Sequence, residues 1–337
     1  MTKKQTLSFL LLAFVLMLQT TGAQQQKQQR QKQQQFSAPT SRVINAAQLL
    51  LDVKTLSADD MQGRGVGAPG GLKARQYVAE RFKKSGLKPF GESFEQSFEF
   101  SHRLRGGGEE KVKAANVVGY IEGKKYKDKY IVVTAHYDHV GVIDNQIHNG
   151  ADDNASGTAA LFALAEYFNK NRPLNSIIFA ALDAEESGLR GARRFVAEPP
   201  VKKESILLNA NMDMISRNQA GELYAAGAYH YPFLKKYLED AAKNAPIKLR
   251  LGHDRPEQGS DDWTNQSDHG AFHQAKIPFI YFGVEDHKDY HRPTDDFENI
   301  DQKFYVGAVE TILDALKKFD AGSAQIEKQK TALQSNQ

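Results

Sequence analysis

The chain has 337 residues, of which 40% are hydrophobic and 25% are charged, and its formal net charge at pH 7 is +3. This length suits one large α/β domain with additions at its ends, and the balanced charge gives no indication of nucleic-acid binding. Because the chain contains no cysteine, disulfide bonds and cysteine-linked lipids are excluded, and we expect its stability to come from the core and from bound metal.

The first 23 residues have the pattern of a secretory signal peptide. Lys3 and Lys4 precede an apolar run from Leu7 to Leu18, and small residues before position 24 favour cleavage after Ala23. The apolar run is shorter than the roughly 20 residues of a membrane-spanning helix, so an N-terminal anchor is the less favoured alternative. Cleavage would lower the net charge to +1 and leave an exported protein, periplasmic or secreted, without a stable membrane anchor.

Polar segments flank the predicted folded domain. Residues 24–40 are rich in glutamine and are predicted to form a flexible linker, because they bury too little apolar surface to offset the entropy of ordering. Residues 321–337 are predicted to form a polar C-terminal tail, with a short extra helix as the alternative. The domain itself is predicted to span residues 41–320.

Strands and helices alternate along this domain, which is typical of α/β folds. Ser41 is predicted to cap a helix through Leu51, and a second helix is predicted from Gly71 to Lys84. Two adjacent strands are then expected at 115–121 and 130–134. Further along, the pattern predicts helices at 156–168, 189–196, 232–243 and 303–319, and strands at 176–182, 205–212 and 277–282.

Acidic and imidazole side chains follow the predicted strands, at the edge where open α/β sheets bind ligands. Nitrogen and oxygen donors of this kind suit two divalent metal ions, with one carboxylate bridging them. Because Glu185 and Glu186 are adjacent, one can bind metal while the other serves as a general base. The candidate residues are His136, Asp138, Asp152, Asp153, Glu185, Glu186, Asp213 and His291.

Six blocks of sequence resemble, in order, the co-catalytic zinc aminopeptidases of metallopeptidase family twenty-eight, which includes aminopeptidase Y and bacterial leucyl aminopeptidases. The blocks are HYDHVG, GADDNASG, AEESGLRG, NMDM, SDHGAF and YHRPTDD. The resemblance implies the zinc exopeptidase fold, a three-layer α/β sandwich with a mostly parallel, mixed central sheet flanked by helices. The protease-associated insert of some members would lie between Phe100 and Asn116, where only a short glycine-rich loop is present.

The resemblance also implies a role for each metal-site residue. His136 and Asp213 would bind one zinc ion, and Glu186 and His291 would bind the other. Asp152 would bridge the two ions, and the cis peptide of the family would lie between Asp152 and Asp153.

Supporting roles follow for the remaining candidates. Glu185 would be the general acid/base, and Asp138 would accept a hydrogen bond from the imidazole of His136. Asp153 and Asp268 would support the site without binding metal. His139, His148, His269 and His287 have no predicted ligand role and are expected to be local hydrogen-bond partners, with substrate contact as the alternative.

The implied activity is hydrolysis of N-terminal residues from peptides with a free N-terminus, by water that two zinc ions activate. One alternative is a glutaminyl cyclase of the same fold, which forms N-terminal pyroglutamate. The other is a binding ectodomain without catalysis. The complete set of ligands and base favours the peptidase, and a dipeptidase or carboxypeptidase preference stays open.

Overall fold

The computed structural model describes residues 39–103 and 108–335, so the predicted signal peptide and most of the predicted linker lie outside the described residues. The helices are α1 (Ala46–Leu56), α2 (Pro69–Lys84), α3 (Gly157–Lys170), α4 (Arg190–Ala197), α5 (Pro232–Ala242), α6 (His269–Gln274), α7 (Gln302–Ala321) and α8 (Ser323–Ser335). The strands are β1 (Glu95–Arg103), β2 (Glu109–Ile121), β3 (Tyr126–His136), β4 (Val142–Ile143), β5 (Gln146–Ile147), β6 (Asn175–Leu182), β7 (Ile206–Asp213), β8 (Glu222–Ala226), β9 (Lys248–Leu251) and β10 (Phe279–Gly283).

An eight-stranded sheet forms the middle layer, in the order β1-β2-β6-β3-β7-β10-β8-β9. The four strands β6, β3, β7 and β10 run parallel, and the antiparallel strands β2 and β8 join them on either side. This mixed, mostly parallel sheet flanked by helices confirms the predicted three-layer α/β fold. The C-terminal ends of the four parallel strands therefore meet along one edge, where such sheets bind ligands.

The parallel strands pack into an apolar core with the helices. Val132 of β3 and Ile178 of β6 belong to one buried cluster with Phe195 of α4 and Phe272 of α6. Fully burying side chains of this kind contributes about 1.5–3 kcal/mol each. Among the described residues, no helix combines the length and the apolar character needed to cross a membrane.

The position of β6 differs from expectation, because it lies between β2 and β3. Ile177 of β6 is opposite Ile121 on one side and Ile131 on the other. All eight residues of β6 are buried, and a strand that is apolar on both faces is typical of a sheet interior. The prediction that β2 and β3 are adjacent was therefore wrong.

The first helix begins later than its predicted cap. Asn45 caps α1, and its side-chain oxygen accepts a hydrogen bond from the backbone N–H of Gln48 at 3.1 Å. The hydroxyl of Ser41 instead accepts from the backbone N–H groups of Val43 and Ile44, which closes a turn ahead of the helix.

The predicted C-terminal tail contains a helix, α8, which is the alternative that the sequence left open. Ile326 is buried, and the ammonium of Lys330 donates to the carbonyl oxygens of Glu204 at 2.9 Å and Ile206 at 2.6 Å. Because only Ile326 is apolar among the three buried residues of this helix, apolar periodicity gave a weak signal for it.

Candidate active site

The predicted donor residues converge on the C-terminal edge of the parallel strands. His136 ends β3, and Asp213 ends β7. Glu185 and Glu186 lie in the loop after β6, and His291 lies in the loop after β10. The regular sheet therefore positions these side chains, as the strand pattern predicted.

Asp153 is positioned by an irregular turn, Ala151–Ser156, between β5 and α3. Gly150 precedes this turn with a φ of 56°, a conformation that favours glycine. The peptide bond between Asp153 and Asn154 is cis. The cis bond was expected one residue earlier, between Asp152 and Asp153, and that prediction was wrong.

Arg64 stabilises this turn by hydrogen bonds to its backbone. Its buried guanidinium donates to five backbone carbonyl oxygens, which matches its five N–H donors. Burial lowers the pKa of Arg64 to about 10, so it stays protonated at neutral pH. The acceptors are Tyr137 at 2.8 Å, Leu56 at 2.9 Å, Asn149 at 2.5 Å, Gly150 at 2.9 Å and Asp153 at 3.2 Å.

One donor group comprises His136, Asp153 and Asp213, each with one ligand atom within 4.8 Å of the others. The Nε2 atom of His136 lies 3.2 Å from Oδ1 of Asp213 and 3.4 Å from Oδ1 of Asp153. An imidazole and two carboxylates at these separations suit a divalent cation such as zinc.

A second group comprises His139, Asp153, Glu186 and His291. The Nε2 atom of His291 lies 3.1 Å from Oδ2 of Asp153 and 3.2 Å from Oε2 of Glu186. The Nδ1 atom of His139 lies 2.9 Å from Oε1 of Glu186. Sequence reasoning gave His139 no ligand role, although it follows His136 within the same HYDH motif.

The structure exchanges the expected roles of Asp152 and Asp153. Asp153 belongs to both donor groups, whereas Asp152 belongs to neither. Oδ1 of Asp152 accepts from the backbone N–H of Ser216 at 2.7 Å, and its Oδ2 lies 3.0 Å from Nε2 of His287. The carboxylate that lies between the two donor groups is therefore that of Asp153 and not that of Asp152, because neighbouring residues of this non-helical turn direct their side chains differently.

Asp138 contacts both His136 and the loop after β6. Its carbonyl oxygen lies 3.0 Å from Nδ1 of His136, and its carboxylate lies 3.6 Å from the same nitrogen. The carboxylate also accepts from the backbone N–H of Glu185 at 3.1 Å. Asp138 therefore orients His136 and the loop that positions Glu185 and Glu186.

Asp268 lies beside the site without joining either donor group. It is fully buried, and neither carboxylate oxygen has a hydrogen-bond partner among the described residues. Burial raises the pKa of Asp268 to about 8, and the negative charges of Asp138 and Asp213 add to the effect.

The electrostatic field of the site is strongly negative. Burial opposes protonation of His291, but the carboxylates of Asp153 and Glu186 outweigh it and raise the pKa of His291 to about 10. A field that favours a positive charge on an imidazole also favours a bound cation. The donor atoms and the field thus both fit a metal ion.

The site opens into a cavity of about 60 Å³. Trp263, Tyr281 and Tyr290 line it together with Glu185 and residues of both donor groups. Asp286 also lines a neighbouring cleft of about 530 Å³. The rings of the small cavity offer an apolar contact beside the metal donors.

Known proteins are similar to this chain in sequence. Aminopeptidase YwaD of Bacillus subtilis (strain 168) is 31% identical over 198 residues, which is 56% of this chain and 41% of that relative. The chain thus spans less than half of that relative's length.

Solved structures share the fold. A zinc aminopeptidase from Bacillus subtilis superimposes with a TM-score of 0.67 and 18% identity, covering 82% of this chain and 95% of the other. A glutaminyl cyclase from Bacteroides thetaiotaomicron gives a TM-score of 0.64 and 20% identity, covering 83% and 99%. The sequence also matches the profile described as Peptidase family M28 over residues 116–316, so the chain belongs to peptidase family M28.

Proposed function

We propose that this protein is a zinc-dependent aminopeptidase that releases N-terminal residues from peptides by means of two zinc ions. The observation that carries the proposal is the position of Asp153. Its Oδ1 lies 3.4 Å from Nε2 of His136, and its Oδ2 lies 3.1 Å from Nε2 of His291. One carboxylate thus turns an oxygen toward each donor group, as a ligand shared by two ions would.

The donor groups fit zinc because they combine imidazole nitrogen with carboxylate oxygen. When bound, the ions would supply Lewis acidity, which lowers the pKa of a water molecule and polarises the scissile carbonyl. The chain would hold them through His136 and Asp213 on one side, Glu186 and His291 on the other, and Asp153 between them.

Glu185 is suited to move the proton. It lines the cavity of the donor groups but belongs to neither group. Desolvation raises the pKa of Glu185 well above its ordinary value, and the negative charges of Asp213 and Asp268 add to this effect. A carboxylate of raised basicity accepts a proton from water more readily and can return it to the leaving amine.

We propose peptides with a free N-terminus as substrates and the periplasm or the extracellular medium as the place of action. Support for the location comes from the basic start and apolar run of residues 1–23. The mature chain is expected to begin at Gln24, and N-terminal sequencing of the exported protein tests this. A mature protein that begins at Met1 would contradict export by this signal.

The activity is tested by digesting paired peptides, one with a free and one with an acetylated N-terminus, with zinc-loaded protein. Mass spectrometry should show stepwise release of the first residue from the free peptides only. Equal cleavage of acetylated peptides would contradict an aminopeptidase, and release from the C-terminus would indicate a carboxypeptidase.

A glutaminyl cyclase is the second candidate, because a structure with that activity shares the fold. Two donor groups around one shared carboxylate favour the peptidase. Peptides that begin with glutamine separate the two activities. A peptidase releases glutamine and shortens the chain, whereas a cyclase removes ammonia and keeps every residue.

A further inference from the structure

His139 lies among the predicted ligands of one ion. Its Nδ1 atom is 2.9 Å from Oε1 of Glu186 and 3.6 Å from Oδ2 of Asp153. Zinc bonds of about 2.0 Å in tetrahedral geometry place neighbouring ligand atoms roughly 3.3 Å apart. The two separations of His139 lie on either side of that value, and those of His291 from the same carboxylates, 3.1 and 3.2 Å, lie just below it.

The fold fixes the ring of His139 in this position. The side chain is 1% exposed, and its edge packs against the ring of His291, with centroids 5.7 Å apart. A Cβ atom at Gly150 would lie 2.5 Å from Cδ2 of His139, so glycine leaves room for the imidazole. Among the described residues, the polar contacts of this ring are made by Nδ1, which faces the carboxylates.

We infer that His139 is a fourth protein ligand of the ion held by Asp153, Glu186 and His291. The inference rests on the two-metal centre proposed above. It makes the two ions unequal, because one has four protein donors and the other has three, from His136, Asp153 and Asp213. The ion with three donors keeps an open position for water, as catalytic zinc sites do, and the other ion is bound more tightly.

NMR spectroscopy of ¹⁵N-histidine-labelled protein loaded with ¹¹³Cd²⁺ tests this directly. Coupling between cadmium and imidazole nitrogen counts the histidine ligands of each ion. We expect one cadmium coupled to two imidazole nitrogens, from His139 and His291, and the other coupled to one, from His136. One coupled nitrogen at each cadmium would overturn the inference, and this measurement on the unmodified chain requires no variant to fold.

Matched variants identify the second nitrogen. H139A should remove one coupling from the doubly coupled cadmium and weaken zinc binding at one site by at least about tenfold in a chelator competition. His148 is a suitable control, because it is buried nearby, contacts the carbonyl of Gln146 and belongs to neither donor group. H148A should retain both couplings and both affinities.

Unchanged couplings and affinities in H139A would also overturn the inference. Neither measurement depends on peptide cleavage. A protein that binds metal as described but cleaves no peptide would contradict the proposed function and leave the ligand role of His139 supported.

Discussion

The two ends of the parallel strands differ in how far their buried charges are paired by hydrogen bonds. At the N-terminal end, Asp320 accepts hydrogen bonds from the backbone N–H groups of Leu174 and Asn175, and Lys330 donates to backbone carbonyls. At the C-terminal end, several carboxylates lie close together, and the carboxylate of Asp268 has no hydrogen-bond partner among the described residues.

We interpret the charges at the N-terminal end as stabilising the fold and those at the C-terminal end as suited to binding a cation. A buried charge is costly unless it is paired, and the backbone pairs those at the N-terminal end. At the C-terminal end, Arg64 supplies a fixed positive charge but its N–H groups are used by backbone carbonyls. An excess of negative charge over fixed positive charge therefore distinguishes the proposed metal site.

Substitution at the shared carboxylate should have the largest effect. D153N removes a donor from both groups, so we expect zinc affinity to fall at both sites. The loss should exceed the roughly 10- to 100-fold that follows when a hydrogen-bond partner of a metal ligand is removed. D152N is the matched change, because Asp152 contacts Ser216 and His287 instead. It should cost about tenfold at most, measured by chelator competition. The reverse ranking would restore Asp152 as the bridging residue.

Substitution of Glu185, the proposed general acid/base, should lower kcat strongly without loss of zinc. Because Glu185 belongs to neither donor group, E185Q should bind zinc normally and lose kcat by at least about 10²-fold. E186Q provides the contrast, since Glu186 is a predicted ligand, and it should lose zinc together with activity. Steady-state kinetics with zinc analysis checks both, and near-normal kcat in E185Q would exclude Glu185 as the base.

Substitution at the N-terminal end of the strands should lower stability and leave zinc binding and turnover unchanged. K330M removes the donor to the carbonyls of Glu204 and Ile206, so we expect a loss of about 1–3 kcal/mol in the free energy of unfolding. Zinc affinity and kcat should not change. K328M is the control, because Lys328 is exposed on the same helix and should stay within about 0.5 kcal/mol. A loss of zinc in K330M would contradict the division of roles between the two ends.

The pH dependence of stability should show a second effect of the same lysine. Burial lowers the pKa of Lys330 to about 8, whereas an unfolded lysine titrates near 10.4. Between these values the unfolded chain binds more protons, so this residue makes stability rise with pH. The stability of the native protein relative to K330M should therefore increase from about pH 8 to pH 10. Denaturant unfolding at several pH values checks this, and a decrease would show that Lys330 is not desolvated.

Hydrophobic periodicity predicted the α/β class and the strands whose ends position the site, and the family resemblance implied the three-layer fold. Strands β6 and β7 are buried along their whole length, and donor residues lie at or shortly after their C-terminal ends. Pairing order was harder to predict, because β2 and β3 are near in sequence while β6 lies between them in the sheet.

The structure brings His136, Glu186, Asp213 and His291 together, but the prediction failed where the path of a turn decides between neighbouring residues. Asp152 and Asp153 are chemically identical neighbours, and the backbone of an irregular turn determines which of them faces the other donors. His139 illustrates the same limit, since its ligand position depends on the path of the loop after β3 and on the space left by Gly150. Side-chain direction in turns has no sequence period to reveal it.

Anomalous diffraction at the zinc absorption edge, from crystals of the zinc-loaded protein, tests the two-metal centre most directly. We expect two peaks roughly 3.5–4 Å apart, with the carboxylate of Asp153 between them and Glu185 bound to neither. A single peak, or two peaks bridged by Asp152, would contradict the centre proposed here.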